Sequence, residues 1–122
     1  MNIRVDQRGQ SKVAIIEHDG IVIGDVQDAL DVMANVRYSA ECNKILLHQD
    51  QLPEEFFELR TKLAGDILQK YTNYGIQLAI VGDFARYGSK SLNDFIYECN
   101  HGKQFYFLGD EAAALDALHA LA

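Results

Sequence analysis

Four short apolar runs, Val13–Glu17 (VAIIE), Lys44–Leu47 (KILL), Gln77–Val81 (QLAIV) and Gln104–Leu108 (QFYFL), alternate along this chain with segments whose apolar residues recur at helical spacing. Such runs suit strands covered on both faces, as in parallel sheets, although length alone leaves buried helix open. Ahead of them Ile3 and Val5 alternate with Asn2, Arg4 and Asp6, the pattern of a half-exposed edge strand, and the turn-rich QRGQS that follows folds it back as a hairpin.

The intervening segments switch to a period of about 3.6. Val26, Ala29, Leu30 and Met33 make the stripe of a first helix, with Asp25 placed to cap it. Leu59, Leu63, Ile67 and Tyr71 repeat at i+4 in a second, predicted to be the longest, which Gly75 ends. Leu92, Phe95, Ile96 and Cys99 mark a third, and Ala114, Leu115, Leu118 and Leu121 a fourth that starts at Glu111. This order predicts one α/β domain over residues 1–122, a mainly parallel five-stranded sheet with four helices, its N-terminal strand antiparallel at the edge. Strand order stays open.

A chain of 122 residues with 48% hydrophobic and 24% charged residues has an ordinary globular composition. Its net charge of −7 disfavours nucleic acid, whose binding rests on Lys and Arg neutralising phosphates. No apolar stretch approaches the roughly 20 residues of a membrane helix. The start has no signal-like run, so no membrane insertion is expected and the predicted location is the cytoplasm. Cys42 and Cys99 form no CxxC pair and read as two reduced, mostly buried thiols.

Three times the chain runs through apolar residues into Gly-Asp, at Asp25, Asp83 and Asp110. Asp19, Asp50, Asp83 and Asp110 fall near the carboxyl ends of predicted strands, the edge where α/β proteins bind ligands, with His18 and His48 beside two of them. Such carboxylates could hold a magnesium ion. The competing explanation is that each caps a helix or turns a corner. The loop from Gly82 to Ser91 lacks phosphate-loop spacing, yet it delivers Ser89, Lys90 and Ser91 to a helix amino end, where an anion could sit or a serine could cap. His101 and His119 fall at helix ends, and Cys99 on an apolar stripe where a thiol is inert. No nucleophile-elbow, zincin or dinucleotide signature occurs, so no catalytic residue, metal site or cofactor is assigned. Gly65 inside the second helix predicts close approach by another element of the domain or by a partner protein. Phe56 and Phe57, among glutamates, predict one ring in the core and one on the surface.

The stretches FFELRTKLAGDILQKYTNYGIQLAIVGDF and SKSLNDFIYECNHG resemble a mainly bacterial family, domain-of-unknown-function family 4180 (DUF4180), and the likeness covers nearly the whole chain. It implies no activity. The order of elements also resembles the STAS domains, typified by anti-sigma-factor antagonists. That second likeness implies a βα superhelix, a regulatory protein-binding role, and a phosphorylated Ser or Thr at the start of the second helix. Thr61 is the nearest position, set in ELRTKLAG rather than in Asp-Ser-Ser/Thr-Gly.

Two functions follow as expectations. One is a non-enzymatic regulatory module docking a protein through Phe56, Phe57, Arg60, Thr61 and Lys62. The other is a small-ligand (anion or nucleotide) or enzymatic domain using the rim of Asp19, His48, Asp50 and Asp83 with Ser89, Lys90 and Ser91. Self-association into a homo-oligomer fits either.

Overall fold

Gly9 lets the first two strands meet. In the computed structural model, which describes residues 1–122, it takes φ +62° at the first central position of the turn, the place a II′ hairpin reserves for glycine. β1 (Asn2–Arg8) therefore folds back antiparallel on β2 (Ser11–Glu17), with Arg8 opposite Ser11. There follow α1 (Val26–Ala40), β3 (Lys44–His48), α2 (Glu54–Phe57), α3 (Leu63–Tyr74), β4 (Gln77–Val81), α4 (Lys90–Asn100), β5 (Phe105–Leu108) and α5 (Glu111–His119). The result is a single α/β domain with one five-stranded mixed sheet, β1 antiparallel and the rest parallel.

The strands stand in consecutive order, β1-β2-β3-β4-β5. Each parallel crossover therefore steps to the same side. A doubly wound sheet opens its ligand crevice where the strand order reverses. This sheet has no such switch point.

Alternation across the strands explains why their sequences are apolar throughout. Ala14, Ile16, Ile45, Leu47, Leu78 and Ile80 belong to the larger core, with Val32, Val36, Ile67, Leu68 and Tyr71 from α1 and α3. Val13, Ile15, Leu46 and Ala79 face the other way, against Ala114, Leu115 and Leu118 of α5. Burial of each of those two leucines contributes about 1.5–3 kcal/mol. α5 is thus the main cover of the second face.

The predicted second helix begins later than its stripe, since Leu59–Thr61 form a 3-10 turn and α3 starts at Leu63, and the one-turn α2 ahead of it is additional, so there are five helices where four were expected. Lys62 makes the break: its φ of +68° lies in the left-handed region, which a right-handed helix does not pass through. Thr61 holds it. Its hydroxyl proton is shared between Glu55 O at 2.6 Å and Glu58 O at 2.8 Å, and its oxygen accepts from Leu63 N–H at 3.3 Å. The i+4 spacing of Leu59 and Leu63 runs across this break, and α1, at 15 residues, is the longest helix.

Two smaller expectations are also corrected. A Cβ at Gly65 would meet nothing within 4 Å, so no element approaches there. Phe56 and Phe57 are both buried, at 1% and 4% exposure, rather than one in and one out. The reason is that α2 is a single turn laid over an aromatic cluster, where Phe57 stacks on Tyr87 at 4.9 Å and Phe56 lies 6.5 Å from Phe107. No helix is long and apolar enough to cross a membrane.

Candidate functional site

Two of the three Gly-Asp carboxylates are helix caps. Asp25 accepts from Asp28 N–H at 2.8 Å at the start of α1, and Asp110 from Ala113 N–H at 2.7 Å at the start of α5. Unpaired N–H groups and the helix dipole favour a carboxylate at both places. Asp83 instead turns the chain after β4, its Oδ1 lying 3.3 Å from Ala85 N–H. Ser89 caps α4 by accepting from Leu92 N–H at 3.2 Å. Lys90 reaches along that helix to Asp94 at 2.8 Å, with 89% of its side chain exposed, and this hydrogen bond raises its pKa above the usual lysine value.

The strand-end rim is filled by two glutamines. Beyond Ile15 opposite Leu46, the next rung of the β2–β3 ladder would join His48 N–H to Ile16 C=O. The Gln51 carboxamide is inserted between them instead. Its Oε1 accepts from His48 N at 2.9 Å, and its Nε2 donates to Ile16 O at 3.0 Å and His18 O at 3.3 Å. The Gln51 carbonyl accepts from Val22 and Ile23 N–H at 2.8 and 3.2 Å, which pins the IVIGD segment over the same end.

Gln49 extends the opposite side of β3 in the same way. Its Oε1 accepts from Asp83 N at 2.8 Å, while its Nε2 donates to Asp83 O at 3.2 Å and to the Tyr87 hydroxyl at 2.7 Å. Gly82 makes room for it, because a Cβ there would lie 2.9 Å from Gln49 Cδ and nearer still to its Cβ. The signal for both plugs is the Gln-Asp-Gln triplet directly after a buried strand.

Around these plugs His48 and Asp50 line two shallow depressions, one of about 300 Å³ with Gly82 and Arg86, the other of about 330 Å³ with Arg4, His18 and Glu111. Their charges are largely paired: Glu111 lies 3.2 Å from Arg4 and 3.7 Å from His48, and Arg4 also meets Glu17 at 3.1 Å. Asp83 and Lys90 line neither depression, and Asp19 lies exposed in the loop after β2. No group of three or more His, Cys, Asp or Glu stands together to hold a metal ion.

The largest groove, about 490 Å³, lies elsewhere and joins residues of both candidate sets: Phe57 and Arg60 with Ser89 and Ser91, beside Glu54 and Tyr87. The Phe57–Tyr87 stack lines it. Arg86 sits 4.9 Å over the Tyr87 ring and pairs with Glu54 at 2.8 Å. Arg60 pairs with Glu58 at 2.5 Å while 85% of its side chain stays exposed. Lys62 is exposed beside it.

His119 has a role its helix-end position does not announce. Its side chain, 5% exposed, lies between Asp6 Oδ2 at 2.8 Å from Nε2 and Ser11 Oγ at 2.7 Å from Nδ1. Lys44 Nζ donates to Ser11 Oγ at 2.9 Å and to Leu121 O at 2.8 Å, and burial lowers its pKa. Lys44 carries donors only, so Ser11 Oγ accepts from it, and the Asp6 carboxylate, an acceptor, faces Nε2 on the other side of the ring. Ser, His and Asp match a hydrolase triad in composition, but the ring is reversed, with Nδ1 facing the serine. None of the four depressions is lined by Ser11 or His119. The network ties α5 to β1, β2 and β3. The thiols stay protonated, since burial pushes Cys99 up to about 11 and raises Cys42.

Fold and surface together define a small α/β domain whose βα units step one way along the sheet and whose strand ends are closed by its own side chains. The model of the family described as Domain of unknown function (DUF4180) matches residues 8–118, and the chain belongs to that family. No curated protein and no solved structure matches it.

Proposed function

We propose that this domain is a non-enzymatic regulatory or protein-interaction module that docks a partner protein along the groove between α2 and the start of α4. The observation that carries the reading is that groove, where a Phe57–Tyr87 stack lies beside a highly exposed Arg60. Aromatic residues and arginine are the side chains enriched at interface hot spots. The plugged rim and the absence of a switch point add support, because they remove the crevice an α/β ligand site uses. Consecutive strands with one-way crossovers also support the STAS-like reading. A phosphoswitch at Thr61 has less support, since its hydroxyl already bonds Glu55 O and Glu58 O. A reducing, cytoplasmic setting fits the two unpaired cysteines. The alternative, an anion or nucleotide at the strand ends, draws its support from His48 and Asp50 sharing depressions with Arg4 and Arg86.

The test uses the full chain as bait in cells that express it, with recovered proteins identified by mass spectrometry and their affinities measured by calorimetry. Arg60→Glu and Lys62→Glu should each weaken binding about tenfold or more. Lys70→Glu, on the exposed side of α3, should leave it unchanged. Equal affinity across all four proteins refutes the groove. Phe57→Asp is not a useful probe, because it places a charge in the core.

A further inference from the structure

β5 has a neighbour on one side only. Gln104 O accepts from Leu78 N–H at 2.9 Å and Leu108 O from Gly82 N–H at 3.0 Å. Residues 104, 106 and 108 therefore turn their backbone groups toward β4, and Phe105 and Phe107 turn theirs outward. An outward row of this kind is a template for another strand. One of its two residues is already occupied. Asn100, the last residue of α4, donates from Nδ2 to Phe107 O at 3.0 Å and accepts from Phe107 N–H at 2.8 Å. Its carboxamide offers one donor and one acceptor side by side, so it stands in for the peptide of a neighbouring strand. No side chain serves Phe105 in this way.

We propose that the outer edge of β5 is a strand-pairing surface for a second copy of this chain, held shut by Asn100. Symmetry selects the occupant. Two such edges meeting antiparallel about a two-fold axis at Tyr106 place Phe105 of each copy opposite Phe107 of the other, so every outward N–H meets a carbonyl without offset. Tyr106 then faces Tyr106 of the second copy as a non-hydrogen-bonded pair, where Cα atoms approach to about 4.5 Å. With the carboxamide removed, the two outward residues of each edge are free together.

Light scattering on the full chain should give Asn100→Ala twice the mass of the wild type at equal concentration. Tyr106→Cys combined with Asn100→Ala should then form a disulfide between copies under mild oxidation, and Tyr106→Cys alone should not. An Asn100→Ala protein that keeps a native near-UV spectrum and the wild-type mass overturns the proposal. A doubled mass without the crosslink overturns it too, by locating the contact elsewhere. Should Asn100→Ala fail to fold, Asn100→Ser replaces it in both measurements, since its shorter side chain cannot span both Phe107 groups; a doubled mass with the Tyr106→Cys crosslink supports the proposal, and the wild-type mass overturns it.

Discussion

Replacing Gln51 with leucine keeps most of the side-chain volume and removes the inserted rung. His48 N–H and Ile16 C=O then lose bonds of 2.9 and 3.0 Å at a position where Gln51 is 2% exposed, so water has little access to replace them. An orphaned buried donor or acceptor costs about 1–3 kcal/mol, or about 2–6 kcal/mol for the two. The weaker bond to His18 O, at 3.3 Å, is left out of this sum. Leucine returns about 1–2 kcal/mol by burying apolar surface. A net loss of about 2–3 kcal/mol follows from the middle of these ranges. With an unfolding entropy of about 2.1 cal/mol/K per residue, that loss lowers Tm by roughly 8–12 °C for a chain of this length. Urea denaturation and calorimetry measure it. Gln49→Leu is the internal control: its bonds to Asp83 are solvent-exposed and water replaces them, which leaves the part-buried bond to the Tyr87 hydroxyl at 2.7 Å as the main one lost, so the loss stays below that of Gln51→Leu. A Gln51→Leu protein as stable as the wild type, or Gln49→Leu losing more than Gln51→Leu, refutes the reasoning.

The two informative glycines should respond in opposite directions to alanine. Gly65→Ala has open space and removes a helix penalty, raising stability by about 0.5–1 kcal/mol, whereas Gly82→Ala displaces Gln49 and lowers it by about 1–3 kcal/mol; denaturant midpoints in the reverse order contradict this account. Asp25→Ala and Asp110→Ala should each cost about 1 kcal/mol as lost caps and add nearly fully in the double variant, being on separate helices; either one proving neutral removes it from the capping role. Burial holds the Cys99 thiol at about 11 from an ordinary value of 9.0. The unfolded chain therefore loses this proton first as pH rises, so the group's contribution to stability is complete below its unfolded pKa and is lost toward its folded one. Alkylation of Cys99 in the folded protein should accelerate steeply over the same interval, and rapid alkylation near neutral pH contradicts its burial.

What the sequence makes legible here is what burial writes into periodicity. Strands covered on both faces are apolar at every position, so Val13–Ile16, Ile45–Leu47 and Leu78–Ile80 stand out, and Asp25 and Asp110 announce helix starts through local capping chemistry. The break at Lys62 leaves no such mark, because a left-handed φ in a residue other than glycine is imposed by its surroundings. Phe57 is drawn inward by Tyr87 and Phe84, which arrive from beyond β4. The carboxyl rim is harder still. Asp50 and Asp83 catch the eye as acids, while the work of closing the site falls to Gln49 and Gln51, whose neutral side chains gain meaning once β2 and β4 lie on either side. His119 depends on Asp6 and Ser11, 113 and 108 residues away in sequence, and no local pattern anticipates that meeting.

Hydrogen-bond scalar couplings in the isotope-labelled protein report which carbonyl carbon each amide addresses. Correlations from His48 N to Gln51 Cδ and from Asp83 N to Gln49 Cδ are the expected result. A correlation from His48 N directly to the Ile16 carbonyl, with none from Asp83 N to either glutamine, would mean that the rim is unplugged, and the case for a groove-docking module over a strand-end ligand site would lose its structural basis.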